Sequence, residues 1–283
     1  MKISDLGDKW YKAYEFCLRK YRVKEAANIA KYYCPKKIYK YYSFSSKNWR
    51  NNVFNGEIAF NLPSNFNDPL DSRWFLNYAE ILKSRFKNSG LEWKKEYYTA
   101  FSNETYEEDL MYLKYMFYIS CFSETPHSNL MWGHYADKHS GFCIEYDVAS
   151  LPKNIQVLFP VVYDENTFDA SRIIDMDGIT DKYAMLCPYL FKSKDWAYEK
   201  EWRTFIPYDG REAPLIVETS HAISGVYFGL NSYGNPLRDE LEKWADEYHI
   251  TTYQMERTYR SYDLISEKIS YIRSQKSTKG LLL

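Results

Sequence analysis

The sequence lacks the glycine patterns on which several large enzyme classes depend. Only 11 of its 283 residues are glycine, and no two of them stand in a Gly-x-Gly spacing. That spacing forms the dinucleotide-binding turn of a Rossmann fold, so the sequence excludes this fold. Gly229 and Gly234 are spaced as in a P-loop, but Asn235 and Pro236 follow them instead of Lys and Ser or Thr. The Gly-x-Ser-x-Gly turn of serine hydrolases is absent as well.

The sequence also has no closely spaced cysteine pair, little net charge and no long apolar run. The five cysteines contain no Cys-x-x-Cys pair, which is typical of free thiols in a reducing cytosol. No ligand spacing of a metal site occurs, so no metal is expected. The apolar run at 155–162 is too short to span a membrane, and the N-terminus lacks the apolar segment of a secretory signal. A formal charge of −1 argues against a mainly electrostatic grip on nucleic acid or membrane. We therefore expect a cytoplasmic protein without a membrane partner.

The chain divides into three parts. Residues 1–35 predict a helical hairpin, because apolar side chains recur every three or four positions within residues 3–33. This hairpin either covers one side of the core or docks on a partner protein. Residues 36–260 predict a single α+β domain, since strands and helices do not alternate strictly. Residues 261–283 are expected to form a C-terminal helix and a flexible tail.

Within the central domain, short aromatic and β-branched runs bounded by turn residues predict the strands. We expect strands at 38–44, 57–60, 118–123, 141–147, 157–163, 202–206, 223–229 and 249–256. Helices are expected at 46–55 with Ser46 as its cap, in a charged region at about 72–115, and at 129–138, 180–192 and 236–248. The strands at 38–44, 118–123, 141–147 and 201–206 are predicted to belong to one central pair of sheets.

Four segments carry a resemblance to a known family. They read IYKYYSF at 38–44, FNDPLD at 66–71, ISCFSETPHSNLMWGHYADKHSGFCIEYD at 119–147 and KDWAYEKEWR at 194–203. Together they resemble a widespread bacterial family known as domain of unknown function 2971, over most of residues 36–260. The usual YKYRS of that family reads YKYYS here, with Tyr42 in place of the basic residue. The family supplies no established reaction.

The order of these segments also resembles the ADP-ribosyltransferase fold. That fold carries a His or Arg on a first strand, a Ser- or Tyr-centred motif on a second, and a Glu at the start of a late strand. The resemblance implies split mixed β-sheets with the helical hairpin and further helices at the periphery. It places Lys40 at the first motif, although Lys40 is neither His nor Arg. It places the second motif at Ser120–Ser123 and the catalytic carboxylate at Glu201, with Glu199 as the alternative.

This resemblance implies that NAD is the substrate. Loss of nicotinamide leaves a ribosyl oxocarbenium ion, which a carboxylate would stabilise, as in glycoside hydrolysis. Lys40 would pair with a pyrophosphate oxygen. Further residues expected to bind NAD are Tyr41, Asn67, Asp68, Ser120, Phe122, Ser123, His134 and Tyr135. The implied protein is an ADP-ribosyltransferase or NAD glycohydrolase, acting as a toxin or in antiphage defence.

Structural and binding roles remain as alternatives for the same residues. Glu201 and Arg203 lie two apart on a strand, so they would also fit a solvated charge ladder. The 67–71 segment is rich in turn residues and fits a structural turn, while Tyr135 fits the core. We expect the turn at 67–69 to lie within reach of the strand end at 120–123. The competing function is a binding module for a nucleotide or single-stranded nucleic acid, with a basic stripe of Lys36, Lys37, Lys40, Lys47 and Arg50.

Overall fold

The computed structural model describes residues 2–77, 115–174 and 183–269. Within these ranges the chain forms fourteen strands: β1 (Lys37–Tyr42), β2 (Glu57–Phe60), β3 (Trp74–Phe75), β4 (Phe117–Ser123), β5 (Phe142–Asp147), β6 (Phe159–Pro160), β7 (Val162–Asp164), β8 (Phe168–Asp169), β9 (Phe191–Ser193), β10 (Glu201–Pro207), β11 (Leu215–Glu218), β12 (Ile223–Phe228), β13 (Thr251–Arg257) and β14 (Leu264–Lys268).

The same ranges contain six α-helices and several short 3₁₀ helices. The α-helices are α1 (Trp10–Arg19), α2 (Val23–Tyr33), α3 (Trp49–Phe54), α4 (Asn129–Tyr135), α5 (Ser171–Ile174) and α6 (Pro236–Glu247). The 3₁₀ helices are Ile3–Asp5, Gly7–Lys9, Pro63–Asn65, Val148–Ser150, Ala184–Leu190, Lys194–Glu199 and Ser220–Ala222. No helix among the described residues is long and apolar enough to cross a membrane.

Eight of the strands form one mixed sheet, which confirms the α+β prediction. Their order is β14-β13-β12-β5-β1-β4-β10-β6. β12 and β13 run parallel and are connected through α6, while the other neighbouring pairs are antiparallel. The remaining strands pair two by two, β11 with β2, β3 with β8 and β7 with β9.

The predicted pair of central sheets is wrong, because the four strands concerned are consecutive neighbours in this single sheet. They follow one another as β5-β1-β4-β10. Their contacts are nevertheless uneven. β1 and β5 are paired at six positions, whereas β1 and β4 are paired only where Tyr39 faces Ser123. The edge of β4 beyond that position is met by Asn61, which forms an isolated bridge with Ile119.

The two faces of the sheet bury different sets of side chains, as the alternation of a strand requires. In β1, Ile38 and Tyr42 enter the larger core, which also contains side chains of α1, α2, α3 and α6. Tyr41 faces the other way, into a smaller cluster with Met131 and Trp132 of α4. Tyr39 packs at the edge of this second cluster. The smaller cluster lies beside the candidate site.

The N-terminal helices pack on the core rather than standing apart from it. Tyr14 and Leu18 are fully buried, and the Tyr14 hydroxyl donates to the Pro160 carbonyl at 2.8 Å. Trp10 stacks between Tyr33 and Trp202 of β10, with ring centroids 4.9 and 6.3 Å away. The hairpin therefore covers one side of the sheet.

Several predicted element boundaries in the first half of the domain are corrected by local turns. α3 begins at Trp49 and has no side-chain cap, because Ser43 to Ser46 form a turn closed by the Ser46 amide and the Ser43 carbonyl. α4 ends at Tyr135 instead of continuing to Lys138. Asp137, Lys138 and His139 all have positive φ angles of 48 to 70°, which a right-handed helix does not allow.

Further corrections concern the second half of the chain. The strand predicted at 157–163 is divided into β6 and β7, which pair with different strands. The helix predicted at 180–192 is a 3₁₀ helix from Ala184 to Leu190 with Pro188 inside it, followed by β9. The sheet extends into the predicted C-terminal helix, since β14 pairs with β13. Most of the predicted 72–115 region, residues 180–182 and residues 270–283 lie outside the described residues.

Candidate active site

A cavity of about 330 Å³ opens where β1 and β4 separate. Its walls come from these two strands, from the 59–71 segment, from α4 and from the chain between β9 and β10. This volume lies in the range of small-molecule sites, which usually combine apolar and aromatic walls with a few polar groups. Its lining residues are Tyr39, Lys40, Tyr41, Ala59, Asn61, Asn65, Phe66, Asn67, Asp71, Ile119, Cys121, Phe122, Ser123, Met131, Tyr135, Lys192, Glu199 and Glu201. We call it the site cavity.

The structure brings most of the sequence-predicted site residues together around this cavity. Eight of the eleven line it: Lys40, Tyr41, Asn67, Phe122, Ser123, Tyr135, Glu199 and Glu201. They come from five separate stretches of the chain, which the fold places side by side: β1, the turn at Asn67, β4, α4 and the start of β10 with the residues just before it. The turn containing Asn67 does lie beside the end of the Ser120–Ser123 strand, as expected.

The other three predicted residues lie outside the cavity wall. Asp68 is partly exposed and its carboxylate accepts from the Leu70 amide at 2.8 Å, so it shapes the turn. Ser120 is buried behind the wall, where its hydroxyl accepts from the Lys40 ammonium at 3.2 Å. His134 is exposed on α4, with its ring 6.1 Å from that of Tyr198.

Five buried charged side chains form the floor of the cavity, and we call them the ion cluster. Lys192 lies at its centre and reaches three carboxylates. Its ammonium is 2.6 Å from Glu199, 3.2 Å from Glu201 and 3.2 Å from Asp71. Arg203 is the second cation of the cluster. It donates to Glu201 at 2.7 Å and to Asp71 at 2.7 Å.

Arg203 is held on every side by acceptors. Its Nη1 donates to the Tyr189 carbonyl at 2.7 Å and to the Ser72 hydroxyl at 3.2 Å. Its Nε and Nη2 donate to the two oxygens of Glu201. A buried guanidinium with such complete pairing meets the requirement that buried charges be compensated.

The alternative that Glu201 and Arg203 form a solvated charge ladder is therefore wrong. Glu201 is 5% exposed and Arg203 is 0% exposed. β10 lies between β4 and β6, and its outer face is covered by the chain around Tyr189 and Lys192. Side chains on both faces of the strand are consequently enclosed. Trp202 and Thr204 are buried, and Ile206 is partly buried.

The two glutamates of the cluster differ in the direction of their pKa shifts. Burial raises the pKa of Glu199, and the neighbouring negative charge of Glu201 raises it further. Burial acts in the same direction on Glu201, but the charges of Arg203 and Lys192 outweigh it and lower the pKa of Glu201. The cluster thus contains one carboxyl group with a raised pKa and one with a lowered pKa.

Glu199 is the carboxyl group with a link to the cavity mouth. The Tyr135 hydroxyl donates to Glu199 Oε1 at 2.8 Å, and the Asn67 amide donates to the same hydroxyl at 3.0 Å. Ser123 fixes the backbone here, because its hydroxyl donates to the Glu199 carbonyl at 2.7 Å. Lys200, the next residue, has a φ of 45° and turns the chain into β10.

Lys40 projects from the other wall and has a different environment. Its ammonium donates to the Ser120 hydroxyl at 3.2 Å and to the Cys121 carbonyl at 2.8 Å, and lies 5.0 Å from the centre of the Phe122 ring. Among the described residues no carboxylate lies within ion-pair distance of it. Burial lowers the pKa of Lys40, and the negative charge of Glu201 opposes that shift only in part.

Three members of the ion cluster, Asp71, Lys192 and Arg203, were not among the predicted site residues. Lys192 falls at the end of a segment predicted to be helical, and Asp71 was assigned to a turn. A lysine directly after the apolar run Tyr189–Phe191 is the one signal in the sequence that points to a buried ammonium. No group of His, Cys, Asp and Glu side chains among the described residues could hold a metal ion.

Comparison with known proteins identifies a family over part of this site. Residues 131–204 match the model of a family described as "Protein of unknown function (DUF2971)". This match confirms the resemblance predicted from the motifs, and the matched stretch includes Tyr135, Lys192, Glu199, Glu201 and Arg203. No curated protein and no solved structure matched the chain.

Proposed function

We propose that the site cavity cleaves the bond between nicotinamide and ribose in NAD and transfers ADP-ribose to an acceptor or to water. The observation that carries the proposal is the pair of buried carboxyl groups with opposite pKa shifts, Glu199 and Glu201, at the floor of one cavity. In enzymes that cleave glycosidic bonds, two carboxyl groups have environments that drive their pKa values apart. One of them then acts as the acid or base, and the other stays a permanent anion.

In this reaction the bond between ribose C1′ and the nicotinamide nitrogen breaks, and nicotinamide leaves as a neutral molecule with the bonding electron pair. The ribosyl group is then an oxocarbenium ion, which the negative charge of the cavity floor stabilises. The acceptor oxygen attacks C1′, and its proton passes to the carboxylate of Glu199. A base of raised pKa suits this step, because it takes the proton more readily at neutral pH.

We propose for the two glutamates the reverse of the roles predicted from the sequence, and the hydrogen bonds of both support this. Both oxygens of Glu201 accept hydrogen bonds from Arg203, and one also contacts Lys192. Glu201 is thus the fixed anion that holds the cluster and sets the pKa of Glu199. Glu199 has one oxygen on Lys192 and the other on the Tyr135 hydroxyl, which itself lines the cavity.

The other walls suit the remaining parts of a nucleotide. Lys40 has only neutral protein partners, so a pyrophosphate oxygen would supply its counter-charge. Tyr41, Phe122 and Tyr135 offer ring surface to nicotinamide. Asn67 would hydrogen-bond a ribose hydroxyl. A cavity of about 330 Å³ holds the nicotinamide and ribose end of NAD, while the rest of the dinucleotide extends beyond it.

The competing basic stripe has less support, because the structure divides its members. Lys37 forms ion pairs with Asp147 at 3.1 Å and Glu145 at 3.5 Å, and Arg50 pairs with Glu240 at 2.7 Å. Lys40 faces the cavity instead of the surface. Consumption of NAD in the cytoplasm would suit a toxin or an antiphage defence protein, with residues 3–33 as the contact for a regulatory partner.

The test is nicotinamide release from NAD by the full chain, measured by chromatography. We expect Glu199→Gln to reduce turnover about a hundredfold or more, because the variant cannot take the acceptor proton. Glu212→Gln is the matched control, since Glu212 is exposed and does not line the site cavity. A folded wild-type chain that releases no nicotinamide with water, protein or nucleic-acid acceptors would contradict the proposal. So would a Glu199→Gln chain with wild-type turnover.

A further inference from the structure

A second cavity, of about 430 Å³, lies directly beside the site cavity. Phe66, Asn67 and Asp71 line both cavities, so one short segment of the chain is the wall between them. Arg73, Trp74 and Tyr189 line only the second cavity. A ligand that extends past Phe66 and Asn67 would therefore occupy both spaces at once.

Arg73 differs from the other arginine of this region in its lack of a counter-charge. Arg203, which donates to Asp71 in the shared wall, is fully paired. Arg73 is exposed, and no acidic group or other hydrogen-bond acceptor contacts its guanidinium among the described residues. A free guanidinium at the edge of a cavity is suited to bidentate binding of a phosphate group.

Tyr189 is a second, independent sign of a missing ligand. Its side chain is 2% exposed, and no acceptor in the described part of the chain takes a hydrogen bond from its hydroxyl. Burial raises the pKa of Tyr189, and the Met116 backbone only partly offsets this, so the hydroxyl keeps its proton. Buried polar groups are almost always satisfied, and an enclosed donor that is not satisfied calls for an acceptor.

We propose that the second cavity binds the phosphate-bearing half of the dinucleotide whose nicotinamide half enters the site cavity. This inference rests on the proposed function for the identity of the whole ligand. Phosphate oxygens would pair with Arg73, and an acceptor oxygen of the ligand would meet the Tyr189 hydroxyl. The shared wall at Phe66 and Asn67 then lies beneath the middle of the substrate.

The experiment measures ADP binding to the full chain by titration calorimetry, a readout that requires no bond cleavage. Arg73→Gln should weaken ADP binding about tenfold or more, because a charge-assisted pair is lost. Tyr189→Phe keeps the packed ring and should weaken binding severalfold. Arg260→Gln is the matched control, because Arg260 is exposed on the turn between β13 and β14, and it should bind ADP like the wild type.

Steady-state kinetics separate this site from the chemistry. Arg73→Gln should raise KM for NAD and leave KM for nicotinamide riboside, which lacks the phosphates, unchanged. A folded wild-type chain that does not bind ADP would overturn the inference, as would unchanged ADP binding in both variants, even if NAD is cleaved. If NAD is not cleaved but ADP binds and Arg73→Gln weakens that binding, the second site stands and the proposed reaction falls.

Discussion

Lys192 and Lys40 line the same cavity, but their surroundings are opposite. Lys192 contacts three carboxylates, and their charges raise its pKa against the effect of burial. Lys40 contacts a hydroxyl, a carbonyl and an aromatic ring, and burial lowers its pKa. The first lysine belongs to a cluster that the protein completes by itself. The second has no carboxylate partner among the described residues, and we therefore propose it as the cation that binds the ligand.

The largest expected effect comes from breaking the completed cluster. Arg203→Met leaves Glu201 and Asp71 buried without their main counter-charge, so we expect the free energy of unfolding to fall by roughly 3–5 kcal/mol. Urea unfolding followed by fluorescence measures this. Arg260→Met, on the surface, should change it by less than about 0.5 kcal/mol. A loss below about 1 kcal/mol for Arg203→Met would show that the cluster is not an essential part of the fold.

Lys40→Met should weaken ligand binding and leave the free energy of unfolding nearly unchanged, the reverse of what we expect for Arg203→Met. Removing the cation takes away the counter-charge for a pyrophosphate, so NAD binding should weaken by about 1.5–3 kcal/mol, or roughly tenfold to a hundredfold. The free energy of unfolding should change by no more than about 1 kcal/mol, because only neutral partners lose a donor. Calorimetry and urea unfolding measure the two quantities. Unchanged NAD affinity together with a large loss of stability would assign Lys40 a structural role like that of Lys192.

A smaller effect is expected in the pH dependence of stability. The pKa of Glu199 is raised, so its contribution to stability is complete below its unfolded-state pKa and is lost as pH rises through the folded-state value. The free energy of unfolding of the wild type, relative to Glu199→Gln, should therefore fall as pH increases. Glu201 has a lowered pKa, so its own contribution is lost as pH falls. Urea unfolding at several pH values checks both signs.

The opposite trend for the Glu199 comparison would show that Lys192 and Tyr135 stabilise its ionised form more than burial and Glu201 disfavour it. In that case Glu199 would join the permanent anions of the cluster. The difference between the two glutamates, on which the proposed chemistry depends, would then disappear.

Sequence patterns predicted the strands around the candidate site better than they predicted which of its side chains are buried. The periodicities of residues 38–44, 118–123 and 141–147 gave strands that differ from β1, β4 and β5 by one or two residues at their ends. The motifs also placed Lys40, Ser123 and Glu199 near one another. They did not show that Glu201 and Arg203 are buried together, because a period of two shows that two side chains share a face but does not show what covers that face.

Local chemistry alone determined the elements whose causes lie within a few residues. Asn235 caps α6 by accepting from the Leu237 amide at 3.0 Å, with Pro236 at the first helical position, and the sequence predicted that start. The Asp68 turn and the alternation of β1 have equally local causes. Most of the secondary structure, the α+β class and the family resemblance could therefore be predicted from the sequence alone.

Tertiary structure alone decided which charges are buried together. Asp71 and Arg203 are 132 positions apart in the chain. They form an ion pair because β10 and the 61–71 segment both lie against β4. The direction of each pKa shift follows from these long-range neighbours and from burial, which no local pattern encodes. For the same reason, the fold decided that Lys192 contacts three carboxylates while Lys40 contacts none among the described residues.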